Sequence, residues 1–199
     1  MKILFLADLH WVPYPEWQLF LQLDKSRYDI ICLLGDIDIM FLKSINESIP
    51  GKLILGVAGN HDYYGDLEHY EVKNMHGVLA TVNNLSFFGL EGSYRYKNEN
   101  APMHSQYEIG EALTGLSYVD ILISHNSPEG IHDKQDLPHK GYTALKNYIS
   151  EHNPQYCIHG HQHKNIVSVV GKTTVIGVYG GIILDTNTGE IDTIISIPD

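Results

Sequence analysis

A short apolar run recurs along the chain and keeps ending in the same kind of residue. KILFLA leads into Asp8 and His10, DIICLL into Gly35 and Asp36, and KLILGVA into GNHD at 59–62. VDILIS leads into His125, and QYCI into His159, His161 and His163. Short runs of Ile, Leu and Val bounded by turn residues read as buried strands. The segments between, such as WQLFLQLDKSR and KGYTALKNYISEH, space their apolar residues as helices do. Alternating strands and helices predict an α/β sheet, whose ligands bind in the crevice beyond the carboxyl ends of the strands. Carboxylates, amides and imidazoles fall at those ends here, so five distant segments should converge on one rim. Were 155–165 fully extended, His159, His161 and His163 would share one face.

Other segments read as antiparallel. VLATVNNLSFFGL places two β-rich arms around Asn83 and Asn84, and further turns fall at Gly171-Lys172 and in DTNTGE. The expected fold is α/β, with two packed mixed β-sheets flanked by helices. At 199 residues, with no Pro/Gly/Ser-rich linker, the chain reads as a single domain over 1–199. No apolar run approaches the ~20 residues of a membrane helix, and Met1-Lys2 passes directly into ILFLAD without a signal-peptide pattern. The expectation is a cytoplasmic protein without membrane attachment. Cys32 and Cys157 sit inside apolar runs and are too few for a disulfide scaffold or a thiolate zinc site. The formal charge of −11, from 13 basic against 24 acidic residues, opposes stable binding of duplex nucleic acid. Oligomeric state is not legible.

Asp8, His10, Asp36, Asn60, His125, His161 and His163 together supply oxygen and imidazole nitrogen without thiolate. That donor set suits Mn, Fe or Zn in a reactive rather than a structural site. Seven donors exceed one ion's share and suit two ions bridged by a carboxylate. Such pairs, ~3.5–4 Å apart, stabilise attacking and leaving oxygens in phosphoryl displacement. Taken singly, Asp8 and Asp36 are commoner as helix N-caps, Asn60 as a turn residue and His125 as a buried histidine. Those readings do not explain why all of them follow apolar runs on one rim.

The blocks DLH, GD, GNHD, SHNSPEG and GHQH, in that order from Asp8 to His163, resemble the calcineurin-like metallophosphoesterase superfamily. The resemblance implies that Asp8, His10, Asp36 and His163 hold one ion and Asp36, Asn60, His125 and His161 the other, with Asp36 as the bridge. It implies a hydroxide between the ions as nucleophile, His61 as proton donor to the leaving oxygen and Asp62 as its orienter. His161 and His163 would then serve different ions, while His159 stands outside the motif as packing or support. Two divalent ions are expected, Mn favoured, with Fe or Zn as alternatives.

GDIDIM lacks the arginine that family protein phosphatases carry after the GD block, and His61 stands where some bacterial phosphodiesterases have Cys. GLEGSYRY, SPEGIHD and HKGYTAL are similar to a branch of small single-domain phosphodiesterases. The reading is therefore a phosphodiesterase on a small phosphate ester, a small or cyclic nucleotide, with phosphomonoesterase or protein phosphatase as alternatives. The alternative of another class is a non-catalytic binding scaffold such as the retromer subunit of this fold, against which the full set of donors speaks. Arg95, beside Tyr94 and Tyr96, is a candidate phosphate binder. His139 is a candidate through the branch resemblance alone. Asp38 reads as a cap or as an acceptor behind the donors. His69, His76, His104, His132 and His152 have no assigned role.

Overall fold

The computed structural model describes residues 1–10 and 14–196. Its strands are β1 (Lys2–Ala7), β2 (Ile30–Leu33), β3 (Ile54–Gly56), β4 (Lys73–Asn74), β5 (Leu79–Val82), β6 (Leu85–Leu90), β7 (Ser93–Tyr94), β8 (Met103–His104), β9 (Ile121–Ser124), β10 (Tyr156–His159), β11 (Ile166–Val170), β12 (Thr173–Gly177), β13 (Gly180–Asp185) and β14 (Ile191–Ser196). Helices α1 (Tyr14–Gln22), α2 (Ile39–Ser48), α3 (Asp66–His69), α4 (Gln106–Leu113) and α5 (Thr143–His152) connect them.

Two six-stranded sheets result, in the orders β14-β13-β1-β2-β3-β4 and β11-β12-β10-β9-β6-β5, with β7 and β8 paired apart. In the first, β1 through β4 run parallel and β13 joins β1 antiparallel. In the second, β6, β9, β10 and β12 are parallel, while β5 and β11 close the edges antiparallel. The expected α/β fold of two mixed sheets with flanking helices is present.

The apolar runs are continuous because both faces of each central strand are covered. From β1, Ile3, Phe5 and Ala7 enter the core between the sheets with Cys32, Leu55, Phe87, Ile123 and Ile158. Leu4 and Leu6 face the other way, packing with Leu33, Phe20 of α1 and Phe41, Leu42 and Ile45 of α2. On the far side of the second sheet, Leu122, Cys157 and Val175 pack with Ile109 of α4 and Leu145 and Ile149 of α5. Each fully buried Leu, Ile or Phe contributes about 1.5–3 kcal/mol relative to exposure.

The turns follow their residues. Asn83 and Asn84 join β5 to β6 with φ of 49° and 67°, the left-handed pair that a two-residue hairpin needs. Asp38 caps α2 by accepting from the Met40 amide at 2.7 Å. The carboxyl ends of β1, β2 and β3 and those of β6, β9 and β10 meet at one rim, stitched by Gly160 N–H to His125 O (3.0 Å) and Gly92 N–H to Ala58 O (2.7 Å). Among the described residues no helix is long and apolar enough to cross a membrane.

Candidate metal centre

At the rim the backbone leaves extended geometry abruptly. Asp8 and Asp36 have φ of 58° and 55°, and His161 and His163 have 65° and 50°. Non-glycine residues enter this left-handed region at a cost of about 1 kcal/mol or more, so surrounding structure has to hold them there. It does: Asp8 N–H donates to Gly35 O, His10 N–H to Asp36 O, and His161 N–H to Asp8 Oδ2 at 3.1, 3.0 and 2.9 Å. The extended picture of residues 155–165 therefore fails. β10 stops at His159, and the left-handed turns place the His161 ring with Asp36 and His125 and the His163 ring beside Asp8 instead of along one strand face.

Two glycines let the loops touch. A Cβ at Gly59 would lie 2.1 Å from Asp36 Oδ1, and one at Gly35 would lie 2.5 Å from His125 Nδ1. Asp62 then ties these loops together. Its carboxylate accepts from the amides of Asp36 (2.8 Å), Ile37 (3.0 Å) and Gly59 (2.7 Å). Asp62, expected as the orienter of His61, thus holds the loop that carries Asp36 to the turn at Gly59.

The histidines are wired through their far nitrogens. A carbonyl only accepts, so a ring nitrogen facing one must carry the proton. His125 Nδ1 faces Leu34 O at 2.7 Å and His10 Nδ1 faces Asp36 O at 3.2 Å, so in the neutral ring of each the lone pair falls on Nε2. His161 Nε2 faces Pro138 O at 2.7 Å, leaving its Nδ1. Donation of the outer N–H to a carbonyl is how metal-binding imidazoles are held.

At the centre of the cluster two buried carboxylates, Asp8 and Asp36, face one imidazole held positive, that of His125. Asp36 Oδ2 is buried without a hydrogen bond, 3.5 Å from His125 Nε2, and that nitrogen is 3.2 Å from Asn60 Oδ1, another acceptor. Burial pushes the Asp8 carboxyl well above its usual range, the His125 charge pulling the other way. Burial, then the Asp36 charge, pushes Asp62 up to about 7. Burial opposes a charge on His125, yet Asp36 and Asp8 outweigh it and push the imidazole up to about 9. Burial also holds His10 and His161 below their usual range and lowers His163 to about 4. The cluster calls for cations. Donor atoms of Asp36, His125 and His161 lie within 4.8 Å of one another, and so do those of His10, Asp36 and His61. Asp36 belongs to both groups. The residues present fit two divalent ions sharing one carboxylate.

Asn60 is buried beside His125, and His163 Nε2 lies 3.8 Å from Asp8 Oδ1. His61 is exposed, stacked on His10 at 4.9 Å, with its amide on Asp36 Oδ1 at 2.8 Å. The His139 ring stands 5.1 Å from that of His161 and binds Asp136 at 2.6 Å. Arg95 is set apart from these residues by its partners: its guanidinium donates to Glu108 Oε1 and Met103 O, both at 3.0 Å.

Several supports have no signature in the sequence. Gln162 Nε2 donates to Ser127 Oγ and His139 O, each at 3.0 Å. Ser168, His132 and His159 form a chain in which His159 Nδ1 donates to Gly160 O at 2.9 Å, His132 Nδ1 to His159 Nε2 at 2.9 Å, and Ser168 Oγ to His132 Nε2 at 2.9 Å. It pins the peptide before His161. A further group, His76, Glu91 and His104, also brings donor atoms within 4.8 Å. There the Glu91 amide donates to His76 Nδ1 at 3.1 Å, so the neutral ring keeps its proton on Nε2, toward Glu91 Oε1.

The profile of the calcineurin-like phosphoesterase superfamily domain matches residues 1–194. The chain belongs to that superfamily. Its members are phosphoesterases, hydrolases of phosphoric esters. No curated protein matches the sequence significantly. Among solved structures, the protein TT1561 of Thermus thermophilus superposes with a TM-score of 0.75 at 16% identity, covering 98% of this chain and 99% of that one. A protein described as a novel archaeal phosphodiesterase gives 0.55 at 18% identity over 96% and 98% of the two chains. The phosphoesterase YfcE of E. coli gives 0.52 at 15% identity over the whole of both. At these identities the likeness is one of fold.

Proposed function

We propose that this calcineurin-like phosphoesterase is a two-metal phosphodiesterase of small phosphate esters, nucleotides among them, with Mn2+ as its preferred ion. The observation that carries the reading is the buried Asp36 carboxylate, which belongs to both donor groups and whose Oδ2 has no hydrogen bond, beside His10, His125 and His161, each with one ring nitrogen on a backbone carbonyl. Asp8, His10, Asp36 and His163 would hold one ion, and Asp36, Asn60, His125 and His161 the other. Bound there, the ions would supply an activated water and neutralise the charge on the phosphoryl oxygens.

The chain's own residues do the rest. Backbone carbonyls of Leu34, Asp36 and Pro138 fix the imidazole tautomers, so donor geometry is set before substrate arrives. Asp62 keeps the Asp36 and Gly59 loops in register. His61, exposed at the rim beside His10, is placed to give a proton to the departing oxygen. His139, alongside His161, forms part of the wall against which the ester rests.

The test is a metal-stripped protein reconstituted separately with Mn2+, Fe2+ and Zn2+ and assayed on matched mono- and diesters, cyclic nucleotides included. Up to two ions per chain by elemental analysis and faster turnover of diesters support the reading. Full activity without metal refutes the two-metal site, and a preference for monoesters makes the protein a phosphomonoesterase.

A further inference from the structure

Beside His163 lies a hollow of about 450 Å³ lined by Lys134, Gln162, His163, Lys164 and Tyr179. Its size suits a small ligand group. His163 joins it to the cluster, since Nε2 of that ring approaches Asp8 Oδ1 at 3.8 Å while the ring stacks on Tyr179 at 5.0 Å and 19°. The floor is fixed by Gln162, whose amide is bound to Ser127 and His139.

Two ammonium groups at one hollow go against the charge of the whole chain, which is −11. The acids of the neighbouring loop are turned elsewhere. Asp133 accepts from the amides of Gly130 (2.9 Å) and Gly141 (3.2 Å), Asp136 is bound to His139 at 2.6 Å, and Glu129 accepts from Thr143 at 3.0 Å. Both arginines are engaged as well, Arg27 with Asp192 at 2.6 Å and Arg95 with Glu108 at 3.0 Å. The cations that line this hollow are Lys134 and Lys164. Lysine is a point-charge binder of phosphate and needs no fixed fork geometry, which suits side chains at the mouth of an open hollow.

We propose that this hollow binds a second phosphate of the substrate, carried on the same molecule as the ester that is cleaved. The inference rests on the phosphodiesterase reading and narrows it to diesters bearing an additional phosphate. Lys134 and Lys164 are its specificity determinants. They act on which ester is held, while the cleaved bond stays at the metal cluster.

The experiment compares two substrates with one leaving group: thymidine 5′-(p-nitrophenyl phosphate) and the same ester with a 3′-phosphate, each hydrolysed by the Mn2+-loaded protein. The ratio of their kcat/KM values is the readout, and leaving-group chemistry cancels in it. The wild type should favour the 3′-phosphorylated ester by about tenfold at low salt, and the preference should shrink as ionic strength rises. In Lys134→Ala/Lys164→Ala the ratio should fall to near one, and Lys134→Arg/Lys164→Arg should restore most of it. A ratio near one in the wild type, or an undiminished ratio in the double alanine variant, overturns the proposal and leaves the phosphodiesterase reading intact. Hydrolysis of neither ester removes both.

Discussion

Asp36 and Glu91 are both carboxylates buried among histidines at the same rim, 1% and 5% exposed, yet the backbone holds the imidazoles around them through different groups. Around Asp36, the Nδ1–H groups of His125 and His10 donate to the carbonyls of Leu34 and Asp36. Around Glu91, a backbone amide occupies His76 Nδ1, and the proton of the neutral ring points inward at the carboxylate. The rings of His76 and His104 stack 5.0 Å apart at 16° beside Glu91, with His104 Nε2 3.3 Å from Oε1. Clusters that look alike by composition and separation thus differ in the backbone group that holds a ring, an amide at His76 and a carbonyl at His125 and His10.

The contrast is broken most severely at Asp36. An ion in such a site contributes several kcal/mol of transition-state stabilisation, so Asp36→Asn should lower kcat/KM by more than about 10⁴-fold. Elemental analysis of the same protein should show fewer than two ions per chain. Metal content equal to that of Asp66→Asn, a control at the start of α3, would remove Asp36 as the bridge.

His61 comes next. Its ring stands close enough to His10 and Asp36 to be counted with the donors, and the proposed role outside the ions is tested by separating binding from proton transfer. His61→Ala should keep its metal while losing about 10²- to 10⁴-fold in turnover on alkyl esters. On nitrophenyl esters, whose leaving group departs without a proton, the loss should be much smaller. An equal loss on both would make His61 a positioning or charge-stabilising residue.

The third test is pH. His125 is held charged up to about 9 by Asp36 and Asp8 against the effect of burial, so an ion has to displace its proton. Below that pH the apparent Mn2+ affinity should fall about tenfold per unit, until other groups titrate. A titration calorimetry series showing pH-independent affinity between about 6 and 8, where the charged imidazole still dominates, would contradict the donor role of His125.

The smallest effect belongs to Glu91. Glu91→Gln should leave metal stoichiometry unchanged and cost about 1–3 kcal/mol of stability in denaturant unfolding, the usual result of disturbing a buried polar contact. Loss of one bound ion in this variant would show that the two clusters are alike after all.

Much of the site was legible because its side chains are tied to strand ends. Each apolar run from KILFLA to QYCI stops at the rim, and Asp8, Asp36, Asn60, His125 and His161 follow from that. The hairpin at Asn83-Asn84 and the cap at Asp38 were legible for the same local reason. What escaped reading is carried by backbone groups or by distant pairs. The carbonyls of Leu34 and Pro138 have no residue code, and the left-handed geometry of His161 and His163 replaces the extended one that their spacing implied. The histidines at 76, 104 and 132 carry no spacing signal, since their partners arrive from other elements. SQYE at 105–108 was a visible signal of a different kind: Ser105 and Glu108 form the capping box that starts α4.

Asp62 has a consequence for motion. One carboxylate holds amides from two loops, those of Asp36 and Ile37 on one side and Gly59 on the other. Neither loop can swing away alone without stranding a buried charge among its former donors, so the two form a single unit for local opening. Amide hydrogen exchange at residues 36, 37 and 59 should therefore report one shared opening free energy, and the cradle for an ion should appear or vanish as a whole.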